Sequence, residues 1–172
     1  NITGGNAAWA DYDGDGDPDL FVGGATARLF VNEGANGFQL SSQSFGSLAS
    51  GTWADFDEDG DPDLHAIRGS NDAGKLFINE NGVLTDQATT RGISDGGVSS
   101  SWGDYDGDGD PDLFVTRTSG APTSDRVYRN DGGNFVETRS SIGLNYSTFG
   151  RQSGWVDHDG DGDLDLHALA GH

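Results

Sequence analysis

Apolar residues along this chain come in short runs, and none of the runs keeps a helical period. DLFVGG (19–24), DLHAIR (63–68), DLFVTR (112–117) and DLHALA (165–170) carry β-branched or aromatic content within a few residues of glycine or charge, and they read as β-strands. Each follows an acidic loop that is entered through a tryptophan, Trp9, Trp53, Trp102 or Trp155, always two residues before the first aspartate. Loop and flanks together predict a β-hairpin. A second hairpin pattern lies between the loops: RLFVNEGANGFQL (28–40), KLFINENGVLTDQ (75–87) and RVYRNDGGNFVET (126–138) share a basic residue, an apolar pair, an asparagine, a polar turn and a final apolar strand. Asn32, Asn79 and Asn130 are placed to hold those turns through side-chain hydrogen bonds.

One hairpin of each kind makes four strands, the content of one propeller blade. The first aspartates of successive loops are 44, 49 and 53 residues apart, a spacing in the range of such blades. The expected fold is therefore all-β, a β-propeller of four-stranded antiparallel blades. Four loop hairpins and three asparagine hairpins give fourteen strands, or about three and a half blades. Approximate repeats fall at 1–45, 46–94, 95–147 and a partial one at 148–172, within a single propeller domain or piece of one. A four-stranded sheet cannot bury both faces alone, so blades must stack, and the four tryptophans are expected between them.

The loops read DYDGDGDPD (11–19), DFDEDGDPD (55–63), DYDGDGDPD (104–112) and DHDGDGDLD (157–165). Carboxylates at alternate positions repel one another unless a cation lies among them. A hard divalent ion takes six to eight oxygens at about 2.3–2.6 Å, and aspartates at positions 1, 3, 5 and 9, with glycine at 6 for the turn and a carbonyl at 7, supply such a shell. Calcium fits best, because magnesium keeps its waters and zinc or copper prefer imidazole or thiolate. His158 sits at an even position of the fourth loop and is expected to point away from the ion. No glutamate stands at position 12 and no helical run flanks the loops, which separates them from helix-loop-helix calcium sites.

Charge sharpens this picture. The formal net charge is −20, yet twenty-one of the 29 acidic residues lie inside the loops, and the remaining eight nearly balance nine Lys and Arg. Four calcium ions would bring the total to about −12 and relieve repulsion that opposes the compact state, so folding is expected to depend on metal. No basic patch exists for nucleic acid. There is no cysteine, no apolar stretch of membrane-spanning length and no signal peptide. The start at Asn1 without methionine suggests a processed form or fragment. Asn1-Ile2-Thr3 and Asn145-Tyr146-Ser147 match the glycosylation sequon.

The stretch WGDYDGDGDPDLFV (102–115), together with YRNDGGNF (128–135), resembles the FG-GAP/VCBS repeats of integrin α-like β-propellers, and the resemblance covers essentially the whole chain. It implies a propeller with calcium in the loop joining the first two strands of a blade. Carried over by position, the side-chain ligands would be Asp11, Asp13, Asp15 and Asp19; Asp55, Asp57, Asp59 and Asp63; Asp104, Asp106, Asp108 and Asp112; and Asp157, Asp159, Asp161 and Asp165. Asp17 would add its carbonyl, with Asp61, Asp110 and Asp163 in the same place in their loops. Integrin-type propellers have seven blades, whereas three and a half are present here.

No nucleophile elbow, phosphate-binding glycine loop or zinc motif is found, and carboxylates repeated in every blade suit ion ligands better than one acid–base pair, so no enzyme activity is expected. The leading reading is an extracellular or cell-surface, calcium-stabilised module for recognition or adhesion. Protein or glycan would be held by loops that differ between repeats, such as Arg117 to Arg126 and Ser140 to Gly154. Alternatives are a structural subunit of an oligomer or fibre joined through the incomplete last blade, and an accessory propeller of a larger secreted enzyme. His65 and His167, in the second strands of alternate blades, are expected to be packed strand histidines, with a ligand-binding or pH-sensing role as the other reading.

Overall fold

The computed structural model describes residues 5–69, 73–117, 125–144 and 150–170, which form fourteen β-strands and no α-helix. Both sequons and the centres of the two recognition loops, 118–124 and 145–149, lie outside the described residues. The first sheet contains β1 (Ala7–Ala10), β2 (Asp19–Val22), β3 (Arg28–Asn32) and β4 (Phe38–Leu40). The second contains β5 (Ser50–Ala54), β6 (Asp63–Ile67), β7 (Lys75–Asn79) and β8 (Leu84–Asp86). The third contains β9 (Ser99–Gly103), β10 (Asp112–Thr116), β11 (Arg126–Asn130) and β12 (Phe135–Glu137). β13 (Gly150–Val156) and β14 (Asp165–Ala170) pair alone.

Every sheet is an antiparallel meander in sequence order, so the described residues make three whole blades and a half blade that do not close into a ring. The first strands, β1, β5, β9 and β13, run beside one another and hold the blades together along one side. In β1, β5 and β9 every residue other than tryptophan is Ala, Gly, Ser or Thr, and Ala7, Ala8, Ser50, Gly51, Ser99 and Ser100 let these strands converge.

Period-two patterning assigns the two faces of a strand to two neighbours. Leu64 and Ala66 of β6 enter a core with Phe21, Leu29 and Phe45 of the first repeat and Leu48 of the connection between repeats, while His65, between them, faces Trp102 of the third blade. Leu76 and Ile78 of β7 join Leu113, Val115 and Tyr128 of the third blade in a second core. All of β6 and β10 is therefore buried. Each Leu or Phe so enclosed contributes about 1.5–3 kcal/mol. Connecting segments add apolar plugs, Phe45 and Leu48 to the first core and Ala88 and Ile93 to the second.

The tryptophans divide. Trp53 lies against Tyr12, Trp102 stacks on Phe56 and Trp155 stacks on Tyr105, in each case on the second residue of the preceding blade's acidic loop. Trp9 departs from the expected inter-blade position and is 57% exposed, because no described residue of a preceding blade covers it. Among the described aromatic rings its partner is Phe38 of its own blade, edge-on at 6.1 Å.

Candidate metal centres

Each acidic loop joins the first two strands of its blade, and glycine permits its bend. Gly16, Gly60, Gly109 and Gly162 hold φ of 94°, 97°, 105° and 100°, a region that side chains with a Cβ rarely enter. At position 4 Gly14, Gly107 and Gly160 are also left-handed, and Glu58 adopts φ 58° in the second loop.

The backbone turns its N–H groups onto the carboxylates. The first aspartate accepts from the glycine at position 6: Asp11 from Gly16 at 2.9 Å, Asp55 from Gly60 at 3.0 Å, Asp104 from Gly109 at 3.0 Å and Asp157 from Gly162 at 3.2 Å. Asp15, Asp59, Asp108 and Asp161 each accept from the N–H two residues on. These bonds gather carboxylates at one place per loop. Asp11, Asp13 and Asp15 converge in the first, Asp55, Asp57 and Asp63 in the second, Asp104, Asp106 and Asp108 in the third, and Asp157, Asp159 and Asp165 in the fourth, with one oxygen of each within 4.8 Å of the others. Asp59 and Asp161 at position 5, and Asp19 and Asp112 at position 9, stand outside these triads.

The ninth aspartate has a structural task as well. Asp19 accepts from the Tyr12 and Asn32 N–H groups at 2.8 and 2.7 Å, Asp63 from Phe56 and Asn79 at 3.1 and 2.8 Å, and Asp112 from Tyr105 and Asn130 at 2.9 and 2.8 Å. It thus ties the loop to the third strand. Asp165 keeps one such bond, from His158. The seventh aspartate faces the outer hairpin: Asp61 accepts from Asn81 and Asp110 from Gly132, while Asp17 lies close to Gly34. Only the carbonyl of this residue is expected among the ion's ligands, which leaves the side chain for the turn. These bonds give Asp163 no comparable partner, since the half blade has no outer hairpin among the described residues.

Electrostatics favour a cation. Burial pushes the Asp63 carboxyl up to about 7 and Asp112 up to about 6, against the pull of their backbone donors, and nearby loop carboxylates add to the rise. Asp13, Asp57 and Asp106 at position 3 are raised too, first by burial and then by neighbouring aspartates. Arg91 opposes this at Asp57 from 3.8 Å. Asp11 Oδ1 and Asp57 Oδ1 are buried without a hydrogen-bond partner. Oxygen-only donors converge in all four loops, and the first and second add orphaned oxygens at Asp11 and Asp57, so each cluster could hold a hard metal ion.

The asparagines do more than hold a turn. Each side-chain oxygen accepts the expected turn N–H, from Gly34, Gly82 or Gly133. The amide of Asn79 also donates to the Tyr12 carbonyl and that of Asn130 to the Phe56 carbonyl, both at 2.7 Å, so each reaches into the acidic loop of the preceding blade. The sequence signal is an asparagine at the same place in each second hairpin, although it stands 13, 16 and 18 residues beyond the ninth aspartate, and its distant acceptor cannot be read from spacing.

His65 is the packed strand histidine expected: fully buried, Nδ1 3.0 Å from Ser100 Oγ, edge-on to Trp102, and held down to about 4 by burial. His167 is exposed, its ring 6.2 Å from that of His158. Among the described residues, no helix is long and apolar enough to cross a membrane.

No curated protein matches the chain. The FG-GAP-like repeat family matches residues 11–66, 55–115 and 104–168, each segment running from one acidic loop through the next. Matching loops, blades and spacing over nearly the whole length make this chain a member of the FG-GAP-like repeat family.

Proposed function

We propose that this chain is a calcium-stabilised, non-catalytic propeller module of the cell exterior that recognises protein or glycan. The observation that carries the calcium part is the recurrence of one carboxylate cluster in the same loop of every repeat, with buried, unpaired oxygens at Asp11 and Asp57. Bound calcium would neutralise the carboxylates and fasten the first strand of each blade to the second. Affinities of about 10⁻⁴–10⁻³ M, usual for extracellular modules, suit the calcium levels outside cells. A scaffold repeated in its strands and variable in its connecting loops suits recognition by those loops. Four equivalent clusters fit ion sites better than a single acid and base, which supports a non-catalytic role.

The test begins from chelated protein, titrated with calcium while Trp fluorescence and urea resistance are followed. About four ions and a large gain in stability are expected; an unchanged fold and no binding would end the calcium reading. Screening the calcium-loaded protein on glycan and matrix-protein surfaces tests recognition, and uniform silence there would count against that part alone. A second reading, a structural subunit joined through its last blade, draws support from the two-stranded β13–β14 sheet, whose edge has no partner among the described residues.

A further inference from the structure

A positive charge is fixed beside the second acidic loop. Arg91 lies in the connection from β8 to β9, and its Nη2 is 3.8 Å from Asp57 Oδ2. The turn that carries it recurs. Arg91 N–H donates to the Gln87 carbonyl and Ile142 N–H to the Thr138 carbonyl, and a left-handed glycine follows each, Gly92 at φ 93° and Gly143 at φ 79°. In the first repeat Phe45 likewise precedes the left-handed Gly46. Two repeats thus place an apolar side chain where the second places arginine.

Between the first and second blades the Tyr12 hydroxyl donates to the Gly82 carbonyl at 2.7 Å. One interface on, Phe56 stands in the place of Tyr12 without a hydroxyl, and the equivalent Gly133 carbonyl accepts from Arg91 Nη1 at 3.0 Å. Arg91 Nε donates to Gln87 Oε1 at 3.3 Å. A Cβ on Gly133 would meet Arg91 Nη1 at 2.9 Å and Asp57 Cβ at 3.4 Å, so the guanidinium is wedged between the third blade's outer turn and the second loop. Both partners are largely shielded from water, at 24% and 18% side-chain exposure. Asp57 is divided between two tasks: Oδ2 faces the guanidinium, while Oδ1 is buried with no hydrogen-bond partner and is left for an ion. Arg129, whose charge reaches Asp106 of the third loop, is by contrast exposed and engages Asp131 through two bonds at 2.8 and 3.0 Å. The extra acid of the second loop does not offset Arg91, because Glu58 Oε1 turns toward the third loop, 4.0 Å from where a Cβ on Gly109 would stand.

Resting on the calcium reading above, we propose that Arg91 sets the calcium affinity of the second centre below that of the other three, so that this site is the last to fill as calcium rises. A guanidinium held against a ligand carboxylate repels a divalent cation and draws off part of the carboxylate's charge. Solvent screening at a partly buried pair keeps the effect to about tenfold in affinity. Because the same side chain holds the Gly133 carbonyl, the filling of this one centre is felt at the contact between the second and third blades.

Calcium titration of the whole chain against a chromophoric chelator tests it in wild type, Arg91→Gln, Arg91→Lys and Asp55→Asn, with the fold of each checked by circular dichroism in saturating calcium. Wild type is expected to bind one ion about tenfold more weakly than the rest, and Asp55→Asn to lose that weak ion. Arg91→Gln should tighten it by about tenfold with the stoichiometry unchanged, whereas Arg91→Lys, which keeps the charge, should leave it weak. A role in packing alone would move both Arg91 variants alike, and that result overturns the proposal. So does an affinity unmoved by Arg91→Gln, and so does loss of a tight ion in Asp55→Asn, which decides the matter even if Arg91→Gln fails to fold. Each of these outcomes leaves calcium binding itself standing; a wild type that binds no calcium overturns the calcium reading and this proposal together.

Discussion

Replacing Asn130 by alanine removes a side chain that ties three segments together. Its amide donates to the Phe56 carbonyl at 2.7 Å and the Pro111 carbonyl at 3.2 Å, and its oxygen accepts from the Gly133 N–H at 2.7 Å. Asn79 makes the same three bonds, to Tyr12, Pro62 and Gly82, at 2.7, 3.0 and 2.9 Å. A hydrogen bond contributes about 1 kcal/mol net, and a buried group left without its partner costs about 1–3 kcal/mol. Either substitution should therefore cost about 3–4 kcal/mol, because alanine admits no water to the stranded carbonyl of the preceding loop. Asn32 is the internal control. Its two side-chain bonds, at 3.3 and 3.2 Å, are both exposed, so water replaces them and Asn32→Ala should cost under about 1 kcal/mol. Urea unfolding of the three variants in saturating calcium reads the difference directly, and in a chain of this size 3 kcal/mol corresponds to a melting shift of about 6–12 °C. Equal losses at Asn32 and Asn130 would show that the bond to the preceding blade is not the source of the effect.

Asp104→Asn should lower calcium stoichiometry from about four ions to three in competition with a chromophoric chelator; four tight sites in the variant would remove Asp104 from the ligand set. In ion-free protein the Asp63 and Asp112 carboxyls hold their protons above the ordinary value of 3.8, so their contribution to stability is full below it and is lost as pH rises through about 6 to 7. Carboxyl NMR should find those midpoints and see them fall on calcium saturation, whereas ordinary midpoints without calcium would refute the burial argument. His65 acts in the opposite sense: its folded value of about 4 lies below 6.5, so its contribution is present above pH 6.5 and lost as pH falls toward 4. The stability of wild type relative to His65→Gln should accordingly decline over that window, and a flat difference would contradict it. Glu58→Gly should leave stability unchanged or raise it by up to about 1 kcal/mol, since Glu58 occupies a left-handed φ of 58° that glycine takes freely; a clear loss in urea melts would mean that the Glu58 side chain makes a stabilising contact.

The hairpins, the loop positions and the family were legible in the residues because each is a local property. Alternation of side chains fixes a strand, glycine fixes a turn, and carboxylates two residues apart on a tight loop must share one small volume. DLFV at 19–22 therefore forms β2 as its pattern demands, and Asn32, Asn79 and Asn130 hold their turns. Which carboxylates converge was less legible. Asp19, Asp63 and Asp112 look alike in sequence, yet Asp63 alone of the three joins a triad, and all three are committed to backbone donors on another strand. Four tryptophans at one repeat position carry no mark of their neighbours either. Sequence by itself determined the strands, the turns and the acidic loops, since these depend on residues a few positions apart. Only the tertiary structure decided that Trp53, Trp102 and Trp155 are covered while Trp9 is open, and that Asn79 and Asn130 reach a loop about seventy residues away while Asn32 does not. The reason is physical: whether a face is buried depends on the blade packed against it, and repeats alike in sequence become unlike wherever the described residues place no blade on that side.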